Sequence, residues 1–183
     1  MLAALLALLL AFSFFGYRSA TSRAERVRRL AALKDRPAIA ADFTTPEGAI
    51  LMLEDAFRRR DLEAAVAAKD FVTEARLELA AEGAPDAGSE AAIAGRAASL
   101  EAKFRDLMTA SWPDFTGIES YFLDRQPYGA NDSARLVVVT EVSRFAPGAQ
   151  SKGGFSEQHI LVTETARGWR VLNPVADPGK QRA

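Results

Sequence analysis

Residues Thr44–Leu79 read TTPEGAILMLEDAFRRRDLEAAVAAKDFVTEARLEL, and their reading as a helix, a tight break, a short helix and a third helix decides the class of fold. Thr44 or Thr45 can accept a hydrogen bond from a free backbone amide, Pro46 suits the first helical position, and Glu47 favours the positive end of the helix dipole. Ile50, Leu53 and Phe57 then recur at helical spacing on one side, with the small Ala49 and Ala56 beside them. Arg58, Arg59 and Arg60 end the helix with cations near its free carbonyls. An arginine run also suits phosphate, but a solvated helix end is the plainer expectation. Asp61 stands where a cap for Leu62–Ala68 is needed, and Asp70 where a cap is needed for a helix whose Phe71, Ala75 and Leu79 share a side.

Downstream, Gly83 to Gly88 is a loop by its breakers, and Ser89 caps a long helix to about Thr109. Its expected core side is Ile93, Ala97, Leu100, Phe104, Leu107 and Met108. Trp112-Pro113 closes the helical half. The period then changes: Ile118–Arg125, Arg135–Phe145, Phe155–Thr165 and Trp169–Val175 are strands by their Val, Ile, Thr and aromatic content. Turn-like separators follow each of the first three, PYGANDS from Pro127, PGAQSKGG from Pro147, and Ala166-Arg167-Gly168. Short links favour an antiparallel meander, and helices followed by strands make an α+β plan in which helices pack on a curved antiparallel sheet.

The amino terminus is a separate matter. Residues 1–17 are uncharged and mostly Leu, Ala and Phe, short for a spanning helix, which needs about 20 apolar residues and no fewer than roughly 17. They read as a membrane anchor or signal-like segment. Residues 18–41 form a basic stem and linker, 42–176 the folded domain and 177–183 a polar tail. Positive charge follows the apolar run instead of preceding it, which favours an anchor with a cytoplasmic domain; the alternative is a cleaved signal ending near Ser22-Arg23-Ala24 and an exported or periplasmic protein. Residues 18–36 carry seven basic and two acidic side chains, leaving residues 37–183 at net −6 in a chain of net −1. A basic stem suits anionic lipid headgroups, while an acidic domain argues against nucleic acid as a partner. With no cysteine and one histidine, disulfides, thiolate chemistry and a histidine-rich metal site are excluded within one chain. No cofactor is implied.

The stretch TPEGAILMLEDAFRRRDLEAAVA, Thr45–Ala67, resembles the opening helices of the nuclear-transport-factor-2-like, or cystatin-like cone, superfamily, and GWRVLNPV, Gly168–Val175, is similar to its closing strand. Lys69-Asp70-Phe71, Glu74–Leu77 (EARL) and Gln158–Thr165 (QHILVTET) look most like the immunity proteins of bacterial toxin systems that share this fold. The resemblance implies a pocket between helices and sheet, with inward polar candidates Tyr121, Asp124, Tyr128, Glu141, Arg144, His159 and Glu164. Expected pocket-lining residues are Phe57, Phe104, Tyr121, Glu141, His159 and Trp169. The superfamily's isomerases and cyclases use a pocket carboxylate as base, a role for which Tyr121 with Asp124 or Glu141 would be the set. Taken singly these residues have plainer readings. Glu141, Glu157 and Glu164 suit a solvated sheet face, Arg144 and Arg170 suit cross-strand ion pairs, and Trp112 and Trp169 suit core or rim positions.

Three functions remain open on the sequence. One is a non-enzymatic, membrane-tethered binding module neutralising a protein toxin. Another is a small-molecule isomerase or cyclase. The third is an envelope ligand-binding or assembly domain that forms a homodimer through its sheet.

Overall fold

A computed structural model describes residues 38–83, 85–128, 135–145 and 154–175. The expected anchor at 1–17, the stem through residue 37, the tips of the PYGANDS and PGAQSKGG loops, and the polar tail lie outside the described residues. No helix among the described residues is long and apolar enough to cross a membrane. The chain divides into Met1–Ala38 and Ile39–Ala183, and every element named below belongs to the second unit.

Helix α1, Pro46–Arg59, starts where the Thr45 hydroxyl accepts from the Gly48 amide at 3.0 Å. Thr44 is drawn off to the Asp42 carboxylate, which decides between the two candidate caps. The helix stops because Arg60 turns left-handed, at φ 54° and ψ 41°, and its N–H closes on the carbonyls of Ala56 and Phe57. Asp61 caps α2, Leu62–Ala67, through the Ala64 amide at 3.0 Å, and Asp70 caps α3, Phe71–Glu82, through the amides of Val72 and Thr73. Ser89 caps α4, Glu90–Ala110. Helices α3 and α4 form a hairpin in which Phe71, Ala75 and Leu79 pack on Ile93 and Ala97. Arg96 clamps the outer side of the hairpin to Glu78 and Glu82.

The expected core side of α4 fails at one residue. Leu107 is 60% exposed, whereas Met108 is buried. Helix α3 begins at Phe71, opposite Phe104, so past Phe104 the helix runs beside the short α2, held there by Arg105 and Glu63. Its apolar stripe loses α3 as a facing helix at that point.

Strands β1 (Ile118–Pro127), β2 (Leu136–Phe145), β3 (Gly154–Thr165) and β4 (Gly168–Val175) pair in sequence order, antiparallel throughout. The α+β plan and the meander therefore stand, with strand ends within about two residues of those expected. One face of the sheet receives α1: Ala49 and Ile50 pack with Phe122, Val137, Val139, Ile160, Val162 and Val171. The opposite face carries Val138, Leu161 and Leu172, with Leu77, Tyr128 and Leu136 against them.

Two joints tie the helices to the sheet. The Val171 N–H donates to the Ala68 carbonyl at 2.9 Å and the Asp70 N–H donates to the Val171 carbonyl at 3.2 Å, so the α2–α3 turn lies along the free edge of β4. At the β3–β4 turn the Trp169 N–H donates to the Phe43 carbonyl at 2.8 Å. Arg170 lays its guanidinium 3.8 Å from the centre of the Phe43 ring, and its Nη1 donates to the Trp169 carbonyl. It does not pair with a strand glutamate as expected, because the docked Phe43 takes up its charged face.

Gly168 sits at φ 90°, where a side chain is strained, and a Cβ there would strike the Phe43 carbonyl oxygen. Gly168→Ala should therefore destabilise the domain by roughly 1–3 kcal/mol. Urea denaturation followed by circular dichroism measures this, and an unchanged midpoint would show that the Phe43 docking is dispensable.

Candidate functional site

A half-open cavity of about 280 Å³ lies between the helices and the sheet. Its wall is mostly apolar. Ile50, Leu53 and Phe57 come from α1, Phe104 from α4, Phe115 from the connection to β1, and Ile160 and Val171 from the strands. Phe57 is the hub of the aromatic side, with ring centres 5.5 Å from Phe115, 6.4 Å from Trp112 and 6.5 Å from Phe104. Four polar side chains break this wall: Glu54, Lys69, Glu141 and Gln158.

Glu54 lies one turn beyond Ile50 and three residues before Phe57, so helical geometry places a carboxyl inside the apolar stripe. It is 3% exposed. The Ser120 hydroxyl donates to its Oε1 at 2.5 Å, and Arg58, one turn on, donates from Nη2 to its Oε2 at 3.0 Å. Burial pushes its pKa from an ordinary 4.5 up to about 7. The Ser120 hydrogen bond resists that rise, the Glu141 charge adds to it, and Arg58 opposes it.

Glu141 is wholly enclosed, at 0% exposure. The Ser143 hydroxyl, two residues along the same face of β2, donates to Oε1 at 2.7 Å. Gln158, directly opposite on β3, donates from Nε2 to Oε2 at 2.9 Å. Its burial corrects the expectation of a solvated strand glutamate. Glu141 faces α1 together with Val137 and Val139, and α1 covers that face.

Lys69 enters the cavity from the turn pinned to β4. Its Nζ stands 3.3 Å from Glu74 Oε2, and 5.6 Å from the ring centres of both Phe71 and Phe104. Burial lowers the lysine pKa and raises that of Glu74, while the attraction between the two opposes both shifts.

Of the lining residues expected from sequence, Phe57, Phe104 and Glu141 line the cavity. Tyr121, His159 and Trp169 do not. Tyr121 pairs with Val142 and Asp124 with Thr140, on the face of the sheet turned away from Glu141. The register slip between Phe122 and Asp124 leaves Asp124 on that side and exposed. The Tyr121 hydroxyl donates to Glu119 at 2.6 Å. His159 sits opposite Thr140, its Nδ1 3.4 Å from the threonine Oγ1. Trp169 packs against the edge of the α1–sheet core. Tyr121, Asp124 and Glu141 therefore do not converge as a catalytic set. Arg144 pairs with Glu119, its directly opposite neighbour, at 3.1 Å, as a cross-strand ion pair on an exposed rim. Glu164 is exposed, and Tyr128 packs beside Leu136 near the end of β1.

Glu54 and Lys69 were legible as anomalies, a carboxylate at a core-spaced helical position and a lysine next to a capping aspartate. Neither spacing marks its residue for chemistry, since burial is not encoded in spacing alone. Arg58 is likewise more than a solvated helix end, because it supports Glu54. Among the described residues no group of three or more His, Cys, Asp or Glu could hold a metal ion. Compared with protein-family models, curated proteins and solved structures, the chain shows no significant match.

The raised pKa of Glu54 has a consequence for stability. Between about pH 4.5 and about pH 7 the folded state holds a proton there that the unfolded chain has released, so stability falls as pH rises through that window. The full loss is on the order of 3 kcal/mol. Glu54→Gln should flatten this part of the stability–pH profile, and an unaltered slope in urea titrations across it would show that Glu54 is not the group responsible.

Proposed function

We propose that the domain is a non-enzymatic binding module that receives a small, largely apolar molecule in the cavity between α1, α4 and the sheet. The observation that carries this reading is the cavity itself: about 280 Å³, walled by aromatic and aliphatic side chains, with a few buried polar groups converging on it. Well-packed cores seldom keep a void of this size beside two buried carboxyl groups, since both empty space and unneeded charge burial are destabilising. The helices-then-strands order and the cavity between the two layers support kinship with the cystatin-like cone fold. Tethering to a membrane through residues 1–17 forms part of the same proposal. The acidic charge of residues 37–183 suits a basic protein partner, and so an immunity role against a basic toxin.

A second reading is favoured by one observation. Glu54 titrates near neutral pH against an apolar wall, as a general base for proton abstraction would. An isomerase or cyclase of this kind would rest on Glu54, with Ser120 and Arg58 holding its carboxyl, in place of Tyr121 and Asp124. Glu54→Gln would then abolish turnover while leaving ligand affinity within about threefold.

Leu53→Trp is the direct test of the binding module, because the indole would occupy the cavity from its α1 wall. Benzyl alcohol, a small neutral aromatic, should raise the melting temperature of the wild-type chain and bind it in titration calorimetry. Its affinity for Leu53→Trp should drop by at least about tenfold. Equal binding by both chains would place the ligand elsewhere and remove the reading.

A further inference from the structure

An amine at the wall of an apolar cavity is a reactive group as well as a charged one. Lys69 lines the cavity, and only 5% of its side chain is exposed. A surface lysine bends its long stem to carry the ammonium out to water. Here the backbone is fixed on both sides of the residue, because Ala68 and Asp70 exchange hydrogen bonds with Val171 and Asp70 caps α3. The Nζ lies 5.6 Å from the ring centres of Phe71 and Phe104, and Phe104 belongs to the cavity wall. Glu74 Oε2 stands 3.3 Å from it. Burial disfavours the ammonium and disfavours the Glu74 carboxylate as well, while the attraction between the two opposes both shifts. Each shift moves the pair toward amine and carboxylic acid, the form in which a lysine nitrogen has a lone pair to give. Apolar side chains are often the less costly occupants of such a place, and lysines desolvated in apolar pockets are the ones that serve as nucleophiles.

We propose that the cavity takes a small apolar aldehyde and that Lys69 holds it as an imine, Nζ bonded to the former carbonyl carbon and the body of the ligand against Leu53, Phe57 and Ile160. This rests on the reading of the cavity as a ligand site and names the chemical class of the ligand. Glu74 takes one proton from the ammonium, and the freed lone pair attacks the carbonyl carbon. The oxygen collects a proton from the nitrogen and then the one held by Glu74, and leaves as water. The product is a protonated imine beside a Glu74 carboxylate, so the charge of the pair is what it was before the ligand arrived. An acyl donor suits the position less, because it would turn Nζ into an uncharged amide and take away the positive charge held against Glu74. A carboxylate ligand would compete with Glu74 for that charge. About 280 Å³ is room for one aromatic ring and its carbonyl.

The test is reductive trapping on the full chain, with benzaldehyde and sodium cyanoborohydride at neutral pH, followed by peptide mapping in the mass spectrometer. Hydride from the reagent adds to the imine carbon and fixes the adduct as a secondary amine. Lys69 should acquire the benzyl group at least about tenfold faster than Lys103, an exposed lysine on α4. Benzyl alcohol at saturation, which has the shape of the aldehyde but forms no imine, should slow labelling of Lys69 and leave Lys103 unaffected. Leu53→Trp should slow Lys69 labelling by about tenfold, in step with its loss of alcohol affinity. Equal rates at Lys69 and Lys103, in a chain that still binds benzyl alcohol, would overturn the imine and leave the ligand site standing. Rapid Lys69 labelling that neither benzyl alcohol nor Leu53→Trp diminishes would place the reactive amine outside the cavity and overturn the proposal. Should Leu53→Trp not fold, protection by benzyl alcohol decides alone. Failure of both the alcohol and the aldehyde to engage the chain would remove the ligand site, and the imine with it.

Discussion

Two backbone hydrogen bonds on the edge of β4 hold the arrangement together. By exchanging bonds with Val171, Ala68 and Asp70 fix the α2–α3 turn to the sheet. That attachment directs Lys69 inward and starts α3 at Phe71, so that the α3–α4 hairpin is carried from the sheet's edge. Helix α1 packs on one face of the same sheet, and space is left where its aromatic end meets Phe104 of the hairpin. The edge of β4 is also covered by this contact, which satisfies backbone groups that would otherwise invite another strand.

Within that space the dominant energetic problem is charge. A carboxylate taken from water needs donors or a counter-charge, and each of the two buried ones obtains them by a different route. Glu54 uses its own helix, where Arg58 lies one turn away, together with Ser120 reaching from β1. Glu141 uses strand register, which sets Ser143 beside it and Gln158 across from it. The first solution brings a cation and the second does not. Burial, with the Glu141 charge adding to it and Ser120 and Arg58 opposing it, brings Glu54 near its midpoint at neutral pH.

Comparison of sequence and structure divides along a physical line. Thr45, Asp61, Asp70 and Ser89 were readable as caps because a cap acts within three residues of chain, and the strands were readable because alternation and turn residues are equally local. Glu141 was nameable as a candidate. Which face would be covered was not. Tyr121 looked like a companion for it, with Asp124 as the alternative carboxylate, until pairing with Val142 and Thr140 set Tyr121 and Asp124 on the other side. Leu107 looked like core until the partner helix ended short of it.

What the amino-acid sequence determined by itself is therefore, among the described residues, the order of four helices and four strands, their ends, and the antiparallel meander, since each depends on interactions between near neighbours. The tertiary structure alone decided which polar groups were taken from water. Strand register, the slip after Phe122 and the docking of α1 act between segments far apart in the chain, and burial follows from what those segments cover. Glu54 and Glu141 are separated by almost half the length of the protein, and only packing makes each the other's electrostatic neighbour.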